Sequence, residues 1–375
     1  MSKARVYING KIFSNWKSFS INKSIDSLCG SYSMTAVFDY GSWTKEESPF
    51  NLSGEIDIFL VKEGGKSPTY HRLFSSSMGG GVFVNTEDSN KIMTAYIDGV
   101  NTSIGSDGLN VEITGRDITS DLIDCSVGAE SIKGLTVKAD EIIQKIITPY
   151  PISISSVSIK EKKDVAINPR VDSKVSEIIS QVSKSGGFIV RTDEEGGLVL
   201  DDGEEPSKMK GSLVLGSKGN VLSANFNANY TGRFSQITVL DNADSKTIIV
   251  GNEIASSAMS YTADSELIDS MRKRPLTVVA NGSANTTDED RLKVEANWRM
   301  AMSRSSVGTA SVRVQGWMSQ EGDLWRVGKL VYCKMTDLNM PEGEMLIKKL
   351  TFSLSDEGTY TNLELIHKDA FDDTD

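Results

Sequence analysis

From Val111 to Thr114 apolar and polar side chains alternate, Val111 and Ile113 on one face and Glu112 and Thr114 on the other, and the same two-residue period returns through much of the chain. A period of two matches a pleated strand with one buried face and misses the helical turn, so this chain must build sheet before anything else. Val6 and Ile8 precede Asn9-Gly10, a pair suited to a tight hairpin turn, and Ile12 resumes beyond it. Phe19 and Ile21 alternate with Ser20 and Asn22, and further strands are expected at 33–38, 55–61, 81–84 and 92–100, divided by Gly, Asn and Ser clusters. Residues 1 to about 115 therefore read as a small antiparallel barrel or sandwich, with Trp16 and Trp43 as core or edge aromatics.

The alternation stops at Gly115, where a strand end is expected, and the segment 111–125, VEITGRDITSDLIDC, turns a corner. Thr119 and Ser120 carry oxygens that can accept the free N–H groups of a first helical turn, while Asp121 and Asp124 put negative charge where a helix N-terminus favours it. A short helix beginning near Asp121 is expected, with Ser120 and Asp121 as its cap. Beyond it the period changes to that of a helix. Thr136 can cap a helix carrying Ile142, Ile143, Ile146 and Ile147 on one side and stopped by Pro149. Strand character follows around 152–159. A second helix from about Ser173 sets Val175, Ile178, Ile179 and Val182 on one face and ends at Gly186-Gly187. Strands at 188–191 and 198–200, joined through Glu195-Gly196-Gly197, complete a compact α+β insertion.

From Leu213 the chain returns to β, with alternation at 220–224 and 233–240. Arg272, Lys273 and Arg274 read as a solvated face or as salt-bridge partners, because carboxylates surround them. A long helix at 288–304, capped near Thr287, would bury Val294, Trp298, Ala301 and Met302. Val312 and Val314 then alternate with Arg313 and Gln315, Trp317 follows Gly316, and a hairpin of 345–354 and 359–366 turns at Asp356-Glu357-Gly358.

Charge and residue usage exclude several functions. With 375 residues the chain is long enough for several domains, and its net charge of −11, from 51 acidic against 40 basic residues, argues against wrapping duplex DNA. Cys29, Cys125 and Cys333 are far apart and odd in number, so they read as buried small hydrophobes in a reducing compartment. No apolar run is long enough to span a bilayer and the first residues lack a signal-peptide core, so synthesis in the cytoplasm without membrane anchoring is expected. The two histidines, His71 and His367, stand beside no second ligand, and Gly79-Gly80-Gly81 lacks the Lys-Ser/Thr of a phosphate loop and reads as a bend. No carboxylate pair stands out for glycoside hydrolysis. Accordingly no catalytic, cofactor-binding or metal-ligating residue is assigned, and no enzyme is expected.

The order of the segments carries more than any one motif. GRDITSDLIDCS at 115–126, the Gly-Gly helix end at 186–187, GLVL at 197–200, Arg233-Phe234-Ser235, GW at 316–317, EGDLW at 321–325, LIKKLTFSL at 346–354, GTYTNLEL at 358–365 and DAF at 369–371 succeed one another. In this order, and over nearly the whole chain, they resemble the Mu-type baseplate hub proteins of contractile-tailed bacteriophages, within the late-control/VgrG-like hub superfamily. His367-Lys368 departs from that pattern, where the family often has a Pro-rich pair.

The resemblance implies an α+β, β-dominated phage hub fold with two small antiparallel β-barrel (tube) domains and two α+β domains. The first barrel would take 1–115 with 211–240, whose strands would close it, and the inserted α+β domain 116–210. The domain with the long helix would take 241–310 with 367–375, and the second barrel 311–366. It implies a homotrimer whose two barrels per subunit make a pseudo-sixfold ring. That ring would join the tail tube protein to the central spike protein, among other baseplate proteins, with DNA passing only transiently through its lumen. Arg116, Asp117, Ser120, Asp121, Asp124, Trp317 and Trp325 become structural and assembly residues, and the expected place is the tail baseplate of a virion assembled in the host cytoplasm. The rival readings are the hub of a related injection particle or secretion system, a tail-associated cell-wall hydrolase, and a carbohydrate-binding module.

Overall fold

The structure is a computed structural model. It describes residues 3–368 except 9–10, 14–15, 39–49, 51, 53, 62–68, 73–80, 85–88, 107, 128–135, 160–163, 167–171, 203–205, 241–258, 264–272, 280–288, 306, 339 and 341. The Asn9-Gly10 turn, Trp43, Gly79-Gly80, Arg272 and the Thr287 cap lie outside the described residues.

Nine strands open the chain: β1 (Lys3–Ile8), β2 (Lys11–Phe13), β3 (Trp16–Ser24), β4 (Ser31–Phe38), β5 (Glu55–Val61), β6 (Thr69–Arg72), β7 (Gly81–Val84), β8 (Ser89–Gly105) and β9 (Gly108–Asp117). An inserted unit follows, made of α1 (Ser120–Asp124), β10 (Thr136–Lys138), α2 (Ala139–Ile147), β11 (Ile154–Ser158), β12 (Asp164–Ala166), α3 (Val175–Gly186), β13 (Ile189–Thr192) and β14 (Leu198–Asp201). Then come β15 (Lys208–Val214) and β16 (Val221–Ala228), and a small unit of β17 (Gln236–Leu240), β18 (Met259–Ala263), β19 (Pro275–Val279) and α4 (Glu289–Ser305). The last strands are β20 (Gly308–Gln315), β21 (Leu330–Lys334), β22 (Gly343–Ser355) and β23 (Gly358–His367).

One ladder joins the two ends of the chain. Its thirteen strands run β16-β20-β23-β22-β3-β4-β9-β8-β5-β1-β2, with β15 held on β21 and β21 on β22. The seam between the N-terminal and C-terminal halves is β22 against β3, in register from Lys349 opposite Ser24 to Leu354 opposite Phe19. Alternation explains why the seam holds: Phe19 and Ile21 on β3 and Leu350 and Phe352 on β22 are buried in the main core. The inserted unit has its own core, in which Ile142, Ile143, Ile146 and Ile147 of α2 meet Ile178, Ile179 and Val182 of α3. A short cluster of Ile25, Leu330, Leu346 and Ile366, with Ile189 and Met302 against it, ties sheet, inserted unit and α4 together.

Several expectations change. The strands after Leu213 do not pair with residues 1–115: β15 lies parallel to β21, β16 antiparallel to β20, and β17 belongs to the separate β18-β17-β19 sheet. The apolar partners explain it, since Leu213 and Val221 enter the core beside Val312, Val314 and Val331. Thr136 is not the cap residue of α2; it sits in β10 opposite Ala166, and α2 starts after Lys138 without a side-chain cap bond. On α4 the deepest stripe is Leu292, Ala296 and Met300, packed on Ile237 and Val239, together with Ala301 of the expected set. Val294, Trp298 and Met302 are half-buried on another side, because α4 is wedged between its own sheet and the rest of the protein. Cys333 is buried, with its thiol pushed up to about 12 by desolvation, but Cys125 is exposed.

Gly115 does not end a strand. β9 runs on to Asp117, and the glycine is there because a Cβ would meet the Tyr96 carbonyl oxygen at 1.9 Å and the Tyr32 hydroxyl at 2.7 Å. Gly115→Ala should therefore cost about 3 kcal/mol, the scale of forced overpacking, read as a lower urea midpoint; an unchanged midpoint would mean that strand β8 does not approach this closely.

Candidate functional site

The corner is set by register. Along β9 the inward face carries Val111, Ile113, Gly115 and Asp117, so the carboxylate of Asp117 enters the protein at 1% exposure while Arg116 faces outward. Asp117 is satisfied by three parts of the chain. It accepts the Gly30 N–H at 2.7 Å from the turn between β3 and β4, the Thr192 hydroxyl at 3.1 Å from β13, and both the N–H, at 3.1 Å, and the hydroxyl of Thr119. Arg116 binds Asp98 through Nε at 2.7 Å and forks onto Asp124 at 3.2 and 2.7 Å, which holds the Asp124 carboxyl below its ordinary range.

The expected cap by Ser120 and Asp121 is not made. Ser120 is already the first residue of α1, Thr119 stands at the cap position, and α1 has no side-chain cap bond. The Thr119 hydroxyl is spent elsewhere, on the Leu28 carbonyl and on Asp117, and the buried Asp117 carboxylate takes the Thr119 N–H. A tertiary anchor replaces the local cap.

The loop from Thr192 to Leu198 is the part of the inserted unit that meets the sheet. Asp193 shapes it by accepting the N–H groups of Glu195 at 2.9 Å and Gly197 at 2.7 Å, and Gly196, at φ +82°, lies so close to Ile118 that a Cβ would sit 2.3 Å from it. The sheet grips this loop from below. Lys23 donates to the Asp193 carbonyl and to the Ile92 carbonyl, each at 3.1 Å; Thr94 donates to the Glu194 carbonyl at 3.4 Å; Lys91 bridges Asp57 at 2.8 Å and reaches Glu195; Arg326 pairs with Glu194. Burial pushes the Lys23 ammonium down to about 8, against the pull of Asp117 and Asp193 and with the push of Arg326 and Arg191.

Trp317 and Trp325 form a second constellation. The Trp317 indole donates to the Ser353 carbonyl at 3.1 Å and its ring lies 5.3 Å from Phe19, while the backbone N–H of Trp325 donates to the Trp317 carbonyl at 3.2 Å. Both side chains are buried, and Trp325 lines a cavity with Lys23 and Thr192. The structure thus brings Arg116, Asp117, Ser120 and Asp124 to one corner and the two tryptophans to one hairpin. Sequence reasoning missed Lys23, Thr192, Arg191, Arg326 and Lys329. Lys23 had a signal: it stands on the inward face of β3, in line with Phe19, Ile21 and Ile25. The others depend on contacts distant in sequence. Among the described residues no group of three His, Cys, Asp or Glu side chains could hold a metal ion, and what these bonds do is fix one unit on another.

Comparison with known proteins agrees with this architecture. Two family models match: the second domain of the gp44-like baseplate hub proteins at residues 119–202, and the fourth domain of the Mu phage baseplate assembly protein GpP at residues 286–374. The baseplate hub protein gp44 of Escherichia phage Mu is 25% identical over 368 residues, covering 97% of this chain and 87% of that protein. The 43 kDa tail protein of prophage MuSo2 from Shewanella oneidensis has the same fold, at a TM-score of 0.75 and 21% identity over 99% of each chain. The tail protein of Neisseria meningitidis MC58 follows, at a TM-score of 0.72 and 17% identity over 98% of this chain and 96% of that one. A β-dominated chain with these matches is a structural component of a phage tail baseplate, not an enzyme. Within that class these matches make it similar to the Mu-type baseplate hub proteins, the family its sequence resembles.

Lys23 makes the joint between sheet and inserted unit sensitive to pH. Its folded value lies near 8, below the ordinary 10.5, so between those values the unfolded chain holds more protons and stability rises with pH. Lys23→Met lacks this term. The native protein should gain up to about 3 kcal/mol relative to that variant between neutral pH and the upper end of the window, measured as urea midpoints; the raised thiols are common to both and cancel. A difference that does not change with pH would return Lys23 to its ordinary range.

Proposed function

We propose that this hub works as a threefold adaptor, a homotrimer that joins the tail tube to the central spike and forms part of the channel for DNA ejection. The observation that carries the reading is the single ladder through both halves of the chain, joined by β22 and β3, so that each copy offers two β units side by side. Three copies offer six such units, which is what a sixfold tube above and a threefold spike below require. Each half would act as a tube domain, the strands at 208–228 going with the C-terminal one, and the inserted and α4 units would sit outside the ring. Arg116, Asp117, Ser120, Asp121, Asp124, Trp317 and Trp325 would serve assembly by keeping the inserted unit and the hairpin in place.

A second feature supports association. Among the described residues the ladder ends at β2 and β16 without a further partner, and Leu222 on β16 is 52% exposed. Unpaired edges with apolar side chains are covered in working proteins. The protein would reach the virion by assembly in the host cytoplasm, and no helix among the described residues is long and apolar enough to cross a membrane.

Light scattering should find a trimer, at high concentration or with the spike protein added; a monomer at every concentration and with the spike would overturn the adaptor reading. The lumen should be acidic, since Lys or Arg there would hold phosphates and slow ejection. A structure of the trimer decides this. An acidic wall with Lys273 and Arg274 turned outward or into contacts between copies is expected, and a wall lined mainly by Lys and Arg would refute it. Within its own chain Arg274 donates to the carbonyls of Tyr230 at 2.8 Å and Thr231 at 2.6 Å.

A further inference from the structure

The joint frames an open cavity of about 430 Å³ whose wall combines Lys23, Leu350 and Phe352 of the sheet, Arg191 and Asp201 of the inserted unit, and the segment 324–329. Its charge is unusual for a chain with a net charge of −11. Among the described residues four cations line it, Lys23, Arg191, Arg326 and Lys329, and two carboxylates, Glu194 and Asp201. Glu194 pairs with Arg326 and Asp201 with Arg191 at 3.5 Å, Lys329 donates to the neutral Ser207 hydroxyl, and Lys23 donates to backbone carbonyls with Asp117 and Asp193 nearby.

Two further donors belong to the same wall. The indole Nε1 of Trp325, a residue at 1% exposure, and the Nε of Arg191 are both buried and have no acceptor among the described residues. Leaving buried N–H groups unpaired costs free energy, so donors kept this way point to an acceptor that arrives from outside. The cations also oppose one another. Burial lowers the Lys329 and Lys23 ammonium groups, Arg191 and Arg326 add to it, and Asp201 on the one and Asp117 and Asp193 on the other oppose it; an anion among the cations would add to that opposing pull. The Arg191 and Arg326 side chains keep 24% and 35% exposure, so the cavity communicates with solvent.

We propose that this cavity binds a phosphate group, doubly charged and carried free or on a small organic molecule, and that the bound group staples the inserted unit to the sheet. Four cations, two of them planar guanidiniums, and an indole N–H suit a compact oxyanion with several acceptor oxygens, and the volume leaves room for the remainder of a monoester. The inference does not depend on the adaptor reading.

The test is titration calorimetry on the full chain in a phosphate-free buffer at fixed chloride, with inorganic phosphate in one arm and ribose 5-phosphate in the other. Saturable binding of either, with a rise in melting temperature, is expected. Tighter binding of the sugar phosphate would assign the cavity to a monoester and equal or tighter binding of inorganic phosphate to the free ion. Lys329→Met, which removes the hydrogen bond to Ser207, and Arg191→Met should each weaken binding tenfold or more, while the exposed Lys208→Met should not. The proposal fails if neither probe binds at millimolar concentration, or if Lys208→Met weakens binding as much as Lys329→Met, which would mean that phosphate only screens the surface.

Discussion

The carboxylate of Asp117 is the point on which the arrangement of units depends. A buried charge is costly unless its partners are in place, and the partners of Asp117 come from the turn before β4, from the corner after β9 and from β13 of the inserted unit. Only the docked arrangement supplies them all. Lys23 repeats the logic with the opposite sign, because its two acceptors, the carbonyls of Ile92 and Asp193, belong to the sheet and to the inserted unit. Withdrawing the loop at 193–197 would leave a buried cation with half of its hydrogen bonds. Apolar burial makes each unit fold, whereas these two groups decide where the units sit on one another.

The sheet fold was legible in the sequence, since a period of two is a direct consequence of pleating and survives any tertiary context. The strands at 33–38, 55–61 and 81–84 emerged where alternation put them, and the helix around Ile142 to Ile147 where a period of 3.6 did. The caps were not legible, and the reason is physical. Thr119 and Ser120 have the right chemistry to cap α1, but a hydroxyl can make only so many bonds, and that of Thr119 goes to Leu28 and Asp117, remote residues that no local pattern reveals. Gly115 shows the same limit from the other side. It looks like a strand breaker in isolation, and is a strand residue chosen because β8 approaches too closely for any side chain.

The pairing of β15 and β16 with the C-terminal half was likewise out of reach, because alternation tells that a segment is a strand and not which neighbour it takes. For the site, register alone would have buried Asp117 and Lys23, as each continues the inward face of its strand. Arg191, Arg326 and Lys329 carry no such mark, and only the fold brings them to one wall.

In the adaptor reading proposed above the protein carries load between its neighbours, and the ladder determines how it would do so. With β22 pairing β21 through its first residues and β3 through its last, a pull on either half is borne by hydrogen bonds along a continuous sheet and not by a hinge between separate domains. The inserted unit stands outside that line. Beside the apolar cluster that includes Ile189, its attachment is polar, through Asp117, Lys23, Lys91 and Arg326, around a cavity lined among the described residues by four cations. Polar joints between units loosen more readily than apolar cores, because water can replace their hydrogen bonds one by one. The rigid path therefore runs through β3 and β22, and any movement of the inserted unit relative to the sheet has to begin at the loop from Asp193 to Gly197.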